Sequence, residues 1–169
     1  MVTWNETIFG SDEALKVCAE LCQRMGLPET GPPASWKPET AAVARDILTK
    51  HWDTFKVTFP AVIRWAGIDH RIGWQVAACI VMASGAPMDD YFRFIAMDAG
   101  WNDAQYCREC EQGDSGSEGP FRRVQIIMEY YRALRDYQPG KPVTLTSRTM
   151  SEELDLLMSE IELEDLGLD

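Results

Sequence analysis

The sequence predicts an all-α protein, one compact domain of about seven or eight helices with an acidic helix at its C-terminus. Apolar residues recur at helical spacing in most segments, and capping residues, Pro or Gly separate these segments. No stretch alternates apolar and polar residues for more than a few positions, apart from a candidate short strand at "PVTLTS". The chain has 169 residues, of which 46% are hydrophobic, so it can build one globular core.

The first helix is predicted in "DEALKVCAELCQRM", with Ser11 as its N-cap and Gly26 as its stop. After a Pro/Gly-rich connector, Pro38 begins a second helix, "PETAAVARDILTKHWDTF". Pro and Gly residues mark off four further helices: "PAVIRWAG", "HRIGWQVAACIVMAS", "PMDDYFRFIAMDAG" and "WNDAQYCREC". Asp69 precedes the second of these four, where we expect an N-cap rather than an acid–base catalyst.

The longest predicted helix, "PFRRVQIIMEYYRALRDY", begins at Pro120 and carries two apolar stripes on nearly opposite sides. A helix of this kind lies between two layers, so we expect it to be the central element of the core. Its four arginines are expected to reach outward by their long stems: Arg122, Arg123, Arg132 and Arg135.

The last predicted helix occupies residues 149–169, which we separate from a globular domain over residues 1–148. Thr149 and Glu152 have the spacing of a capping box, so a helix can begin near Met150. Its apolar residues form two stripes about half a turn apart. One stripe is Leu154, Leu157, Met158, Ile161 and Leu168, and the other is Leu156, Leu163 and Leu166. This is more apolar surface than one docking face needs.

Negative charge is concentrated in this C-terminal segment. The chain has a net charge of −11, and residues 149–169 contain eight acids and no base, which leaves 19 acids and 16 bases in residues 1–148. Because nucleic-acid binders neutralise phosphates with Lys and Arg, the acidic surplus argues against direct nucleic-acid binding. It favours a basic protein partner or serves solubility alone. The chain shows no export signal and no membrane-spanning stretch, so we expect a cytoplasmic protein.

Two interpretations of the segment stay open. In one, a single stripe docks onto the domain and the acids only solvate the outer side. In the other, the second stripe and its acids bind a basic, grooved partner, which is another protein or another copy of this chain. The residues predicted to bind the partner are Glu160, Glu162, Glu164, Asp165, Leu156, Leu163 and Leu166, together with Trp36 of the Pro-rich connector.

No complete catalytic motif is present, and we predict neither a cofactor nor a catalytic residue. The five cysteines are odd in number, which argues against structural disulfides in a cytoplasmic protein. Most are expected in the core, although Cys18, Cys22, Cys107 and Cys110 leave a four-thiolate zinc site open. His51 and His70 are the two histidines, and either could serve a small helical enzyme.

Near the N-terminus, Trp4, Phe9, Asp12 and Ala14 have the spacing of W-G-x-G-x-F-x-x-D-x-A, with Asn5 and Thr7 at the two glycine positions. The chain here resembles a bacterial family of unknown function that opens with this pattern. Some members look like immunity proteins, which bind and block a toxin. The resemblance therefore implies a binding function.

From these observations we predict a non-catalytic inhibitor that neutralises a basic protein partner, either as an immunity protein does or against a bacterial defence complex. Two alternatives stay open. One is a helical enzyme that uses His51, His70 or a cysteine. The other is a structural subunit in which the C-terminal helix of one copy packs in a groove of the next.

Overall fold

The computed structural model describes residues 8–9, 11–111, 118–145 and 158, and the regular structure within these ranges is helical throughout. Its elements are α1 (Asp12–Met25), a 3-10 turn (Pro33–Ser35), α2 (Pro38–Lys50), α3 (Trp52–Ala66), α4 (His70–Ser84), α5 (Asp90–Glu111) and α6 (Glu118–Asp136). The all-α prediction is confirmed. Seven or eight helices is more than the six that this part of the chain contains, and residues 149–169 lie outside it except for Met158, which is helical.

The predicted ends of α1 are confirmed. The Ser11 hydroxyl accepts the N–H of Ala14 at 3.1 Å, which satisfies one of the unpaired donors of the first turn. Gly26 ends the helix with a φ of 69°, and the N–H of Leu27 then donates to the carbonyl of Cys22 at 2.9 Å. This pattern is the glycine stop that the sequence predicts.

The second predicted helix is divided at His51, not at Pro60 where we placed the boundary. His51 has a φ of −116° and a ψ of 32°, so the chain turns there between α2 and α3. α3 continues through Pro60, and the predicted helix "PAVIRWAG" is therefore only its C-terminal half. An internal proline costs about 3 kcal/mol. The buried face that runs along α3 on both sides of it offsets this cost: Phe55, Phe59, Val62 and Ile63.

α4 is the central helix of the core, a position that we predicted for the helix from Pro120. Every residue from Gln75 to Ser84 is buried, and the helix packs against α1, α2, α3 and α5. α6 instead packs mainly against α5. Two apolar stripes indicate that a helix has two neighbours. A helix that is buried on all sides needs small and apolar residues around its whole circumference, as in the α4 sequence "VAACIVMAS".

Aromatic rings join α4 to α3 and α5. Phe59 of α3 packs edge-to-face against Trp74, with ring centroids 4.7 Å apart, and against Phe92 of α5 at 5.6 Å. Trp52 packs on Phe92 at 5.1 Å. Such pairs add to the free energy of burial, so the first turns of α5 are held firmly on the core.

α5 is one helix where two were predicted. Gly100 was read as a stop, but it lies inside the helix, because the space beside its Cα is filled by α6. A Cβ at this position would lie 2.8 Å from Cε1 of Tyr130. Gly100 therefore permits a close approach of two helices rather than a turn.

After α6 the chain returns to the end of α4. The N–H of Gly140 donates to the carbonyl of Gly85 at 2.8 Å, and that of Val143 donates to the carbonyl of Met82 at 2.9 Å. Arg93 of α5 covers the end of α6, since its Nη1 donates to the carbonyls of Leu134 and Tyr137, both at 3.0 Å. Within residues 142–145 the strand predicted at "PVTLTS" does not form, because the segment pairs with a helix end and not with another strand.

Within the described ranges, the helices are all too short or too polar to cross a membrane.

Candidate protein-interaction surface

Three aromatic side chains of α5 face solvent together. Tyr91 is 73% exposed, Phe94 is 66% exposed and Trp101 is 45% exposed. Successive members are three and seven residues apart, which places them in one sector of the helix surface. Single exposed apolar residues are common on proteins, but several on one helix face are typical of an interaction surface. We call these three side chains the α5 aromatic face.

The opposite side of α5 is packed in the core. Its buried residues follow the same helical spacing: Phe92, Ala96, Ala99, Asp103 and Cys107. A rotation of α5 that covered the aromatic face would bring this buried side to the surface. The aromatic face is therefore exposed because of how the whole helix packs.

Asp89 fixes the start of α5. Its Oδ1 accepts the N–H of Phe92 at 2.7 Å, while its Oδ2 accepts Nε1 of Trp52 at 3.0 Å and Nζ of Lys56 at 3.1 Å. Burial would raise the pKa of Asp89, but these three hydrogen bonds outweigh it and hold that pKa below its usual value. The carboxylate is therefore ionised at neutral pH and stabilises the first turn, which contains Tyr91.

α6 packs against the buried side of α5. The buried hydroxyl of Tyr130 donates to the carbonyl of Ala96 at 2.8 Å. Burial, followed by the proximity of Cys79 and Asp103, raises the pKa of Tyr130, so the hydroxyl stays protonated and can donate. On the surface, the ring of Tyr131 lies 6.5 Å from that of Trp101 between centroids and continues the aromatic face onto α6.

A buried polar cluster ties α4, α5 and α6 together. Oδ2 of Asp103 accepts Nε2 of Gln75 at 2.6 Å and Nη2 of Arg123 at 2.9 Å. Arg123 also donates to Oε1 of Gln75 at 3.1 Å, and the thiol of Cys107 lies 3.7 Å from Oδ1 of Asp103. All four residues are buried. We call them the Asp103 cluster, and its chemistry is that of a structural tie that fixes three helices relative to one another.

The prediction that Arg123 reaches outward is therefore wrong. Arg123 is only 4% exposed and forms an ion pair with Asp103 inside the protein. Arg132 and Arg135, on the same helix, are exposed as predicted. The difference follows from position, because Arg123 faces the α4–α5–α6 junction, whereas Arg132 and Arg135 lie by helical spacing on other sides of α6.

Acidic side chains accompany the α5 aromatic face. Asp98 is exposed and, by helical spacing, lies between Phe94 and Trp101. Its carboxylate accepts the amide of Asn102 at 3.2 Å, which leaves most of its oxygen surface open to solvent. Asp90, next to Tyr91, is also exposed. Apolar rings beside carboxylates suit a partner that presents apolar and basic side chains.

Most of the predicted contact residues lie outside the described part of the chain: Glu160, Glu162, Glu164, Asp165, Leu156, Leu163 and Leu166. Met158 is the described residue of this segment, and its side chain is 57% exposed. Met158 belongs to the stripe that also contains Leu154, Leu157, Ile161 and Leu168. At this position, therefore, the segment is not fully covered.

Trp36 is half-buried and lies at a pocket. Its Nε1 donates to the carbonyl of Gly31 at 3.1 Å, and its ring packs against the core. The pocket has a volume of about 340 Å³, and its walls include Trp36, Lys37, Pro38, Arg45, Pro142 and Thr144. Trp36 lies in the connector between α1 and α2, whereas the aromatic face lies on α5. Among the described interactions, no contact joins the two.

The two histidines are both exposed. His51 is at the junction of α2 and α3, and His70 is the first residue of α4, with its ring 5.9 Å from that of Trp74.

Asp69 is the N-cap of α4, as predicted, since its Oδ1 accepts the N–H of Arg71 at 2.9 Å. The Arg71 side chain also binds Asp69 and lowers the pKa of its carboxyl group. Asp69 is thus occupied as a cap and ion-pair partner.

The described cysteines have the surroundings of core residues: Cys18, Cys22, Cys79 and Cys107 are all buried. A hydrogen bond to Cys18, together with burial, raises the pKa of the Cys22 thiol. Burial also raises the pKa of Cys79, although the charge of Arg123 opposes it. Since the thiolate is the reactive form, these surroundings weigh against a nucleophilic cysteine at these positions.

We expect these four thiols to resist alkylation in the folded protein. After treatment with iodoacetamide near neutral pH, peptides that contain them should be modified to roughly a tenth or less, because the reagent reaches buried thiols slowly. Mass spectrometry of the digested protein measures each position separately, and the same treatment in guanidinium chloride should modify all of them. Rapid modification of any one under native conditions would restore the cysteine-enzyme alternative.

The proposed four-thiolate set is not brought together in the described part of the chain. Cys18 and Cys22 lie side by side on α1, whereas Cys107 belongs to the Asp103 cluster. No group of three or more His, Cys, Asp or Glu residues in the described ranges could hold a metal ion. The side chain of Cys110 lies outside those ranges.

Sequence reasoning did not identify the α5 aromatic face. In "YFRFIAM" every position but Arg93 is apolar or aromatic, and both sides of the helix read as candidates for the core. Tyr91 and Phe94 are exposed, whereas Phe92 is buried. The signal was present as a second stripe on one helix, but only the packing of α4 and α6 decides which stripe is covered.

No protein-family model, curated protein or solved structure matches the chain significantly. The resemblance over Trp4, Phe9, Asp12 and Ala14 therefore stays a prediction. Among these residues, Asp12 is the first residue of α1 and Ala14 is buried. The fold and the surfaces described above are consequently the basis for any functional proposal.

Proposed function

We propose that this chain is a non-catalytic protein that binds and inhibits a basic protein partner, in the manner of an immunity protein or of an inhibitor of a bacterial defence complex. The α5 aromatic face supplies the apolar centre of the contact. The C-terminal segment supplies acids and apolar side chains around it, with Trp36 as a further contact: Glu160, Glu162, Glu164, Asp165, Leu156, Leu163 and Leu166.

The observation that carries the proposal is the exposure of three aromatic side chains on one rigid helix. Tyr and Trp are enriched among the residues that contribute most to protein–protein binding, because they bury a large area at little cost in conformational entropy. Solvating these rings is unfavourable, and the packing of α5 gives them no alternative position. A partner that covers them therefore gains free energy.

The sign of the charge supports a basic partner. The net charge of −11, with eight acids and no base in residues 149–169, produces a field that attracts positive surfaces over about 10 Å at moderate salt. Association of such a pair is fast and weakens as the salt concentration rises. The same field repels a second copy of this chain, which favours a different protein over self-association.

The surroundings of the candidate catalytic groups favour binding over enzymatic activity. His51 and His70 are exposed and belong to different elements, the α2–α3 junction and the start of α4. The described cysteines are buried, and the pKa values of the Cys22 and Cys79 thiols are raised. A general base needs a positioned proton donor or acceptor in a site that excludes water. The α5 aromatic face has the character of a contact surface instead.

A pull-down from a lysate of the source cells tests the proposal. Immobilised wild-type protein should retain a stoichiometric basic protein at low salt and release it at high salt, because steering and binding by exposed charges are screened. A variant with Glu160→Gln, Glu162→Gln, Glu164→Gln and Asp165→Asn should associate about tenfold more slowly and with a flatter salt dependence. Surface plasmon resonance on the retained partner measures both.

The matched control for that variant is Glu13→Gln with Glu29→Gln, Glu39→Gln and Asp46→Asn, which removes four exposed acids from α1, α2 and the connector between them instead. Its association rate should change much less, and the thermal midpoint of both variants should stay close to that of the wild type. Retention of nothing but further copies of this chain would support the structural-subunit alternative and contradict the proposal. If the association kinetics of the Glu160, Glu162, Glu164 and Asp165 variant were unchanged, the C-terminal acids would have no part in the proposed contact.

A further inference from the structure

The pocket at Trp36 lies where the chain leaves the described domain. The connector before α2 and the first turns of that helix form one wall, and the segment that returns after α6 forms the other, through Pro142 and Thr144. This second wall is held in place, because the N–H of Val143 donates to the carbonyl of Met82 at 2.9 Å. The pocket therefore has fixed walls and a volume of about 340 Å³.

The described charged side chains in this pocket are both cationic. Lys37 precedes α2 and is exposed, while Arg45 lies two turns into the helix. Nε of Arg45 donates to the carbonyl of Ser84 at 2.9 Å, which anchors the guanidinium at the end of α4. Because a guanidinium has five N–H donors, this bond leaves others for a ligand. Rings and aliphatic side chains line the remainder, notably Trp36, Pro38 and Pro142.

A ligand that fits this lining combines carboxylates with an apolar side chain. A carboxylate between Lys37 and Arg45 would gain charge-assisted hydrogen bonds, which are among the stronger ones in proteins. An apolar side chain beside it would cover part of the exposed Trp36 ring, and the remainder of the ring stays available to the partner. The beginning of the C-terminal segment has this chemistry in "EELDLL", from Glu152 to Leu157.

The path of the chain brings that sequence close. Thr144 is part of the pocket wall, and Glu152 follows it by eight residues, so even a fully extended connection keeps Glu152 within about 27 Å of the pocket. A tether of this length gives an effective concentration on the order of millimolar. Weak binding is therefore enough to keep the site occupied.

We propose that this pocket anchors the C-terminal segment of the same chain, with the carboxylates of Glu152 and Glu153 beside Lys37 and Arg45. Met158, five residues beyond Glu153, is 57% exposed. This exposure agrees with an anchor that is confined to the beginning of the segment. The distal acids Glu160 to Asp165 then project from a fixed point. The anchor deepens the proposed function, since it presents those acids to the partner at lower entropic cost.

Carbodiimide cross-linking of the full-length protein at low protein concentration tests the anchor without any partner. The reagent joins a carboxylate to a lysine amine only where the two are in contact. The expected product links Lys37 to Glu152 or Glu153, and mass spectrometry of the digest identifies it. Lys50, at the other end of α2 and about 20 Å away, is the matched control. The yield of products that link Lys50 to the same acids should be at least about fivefold lower than that of the Lys37 products. The reason is that the anchor holds the tethered acids beside Lys37.

Arg45→Gln should reduce the Lys37 product several-fold and leave the Lys50 product unchanged, with circular dichroism to verify folding. Trp36→Ala removes the ring on which an apolar neighbour of these acids would pack, so it should also reduce the Lys37 product. It serves as the second variant if Arg45→Gln unfolds. A mixture of isotopically light and heavy protein distinguishes links within one chain from links between chains. Equal yields at Lys37 and Lys50, or links mainly between chains, would overturn the anchor. Neither result would affect the pull-down, which reports on the proposed function separately.

Discussion

Replacement of Asp103 by alanine is expected to lower the free energy of unfolding by about 3 to 5 kcal/mol, the range found when one partner of a buried ion pair is removed. The substitution takes the carboxylate away from Arg123 and from the amide of Gln75, both of which are buried. The buried guanidinium of Arg123 then loses the carboxylate that offsets part of its desolvation cost. Urea denaturation followed by circular dichroism measures the loss.

Two further variants identify the cause. Asp136→Ala removes the carboxylate of a fully exposed ion pair with Arg135 on the same α6, and it should leave the unfolding midpoint nearly unchanged. The double variant Asp103→Leu with Arg123→Met removes both charges and should be more stable than Asp103→Ala, since apolar residues can replace a buried ion pair. A loss below about 1 kcal/mol in Asp103→Ala would show that solvent reaches the Asp103 cluster.

Phe94→Ala and Trp101→Ala are each expected to weaken binding of the partner by about 2 kcal/mol or more, which is a factor of about 30 in Kd. Both side chains are largely exposed in the free protein, so truncation costs little in folding but removes area that a partner would cover. The loss should appear mainly as faster dissociation, in contrast to the slower association of the acidic-segment variant. Titration calorimetry or surface plasmon resonance with the retained partner measures both quantities.

Val57→Ala is the control for these two variants. Val57 is 73% exposed on α3, as exposed as Tyr91, but it is not part of the α5 aromatic face. Its truncation should leave the affinity and the thermal midpoint unchanged. If Phe94→Ala and Trp101→Ala bound the partner as tightly as Val57→Ala does, the α5 aromatic face would not be the contact surface.

The helix ends that the sequence predicts correctly depend on local interactions. Ser11 caps α1 through a residue three positions away, Asp69 caps α4 through a residue two positions away, and Gly26 needs only its own positive φ. Interactions over two to four residues are contained in the sequence itself. Each of these predictions was accordingly confirmed.

The predictions that failed depend on contacts distant in sequence. Gly100 was read as a helix stop, but the ring of Tyr130, thirty residues later, occupies the space where a side chain would be. Pro60 was read as a helix start, but the buried face of α3 carries the helix through it. In both cases a local preference of a few kcal/mol or less was outweighed by tertiary packing.

The candidate site shows the same division. The acidic segment and the excess of apolar residues in it were visible in the sequence, because composition does not depend on folding. The α5 aromatic face and the pocket at Trp36 were not. Their existence depends on which stripe of α5 is covered by α4 and α6, and on where the chain returns after Tyr137.

The sequence by itself thus determined the helical class, the caps that begin and end helices, and the separation of charge between residues 1–148 and 149–169. Only the tertiary structure decided the environment of each charge and ring. Arg123 and Arg132 are the same residue type on one helix, yet the first is buried with Asp103 and the second is exposed. The physical reason is that burial of a charge is tolerated only where a partner from another helix offsets its desolvation, and that partner is brought there by folding.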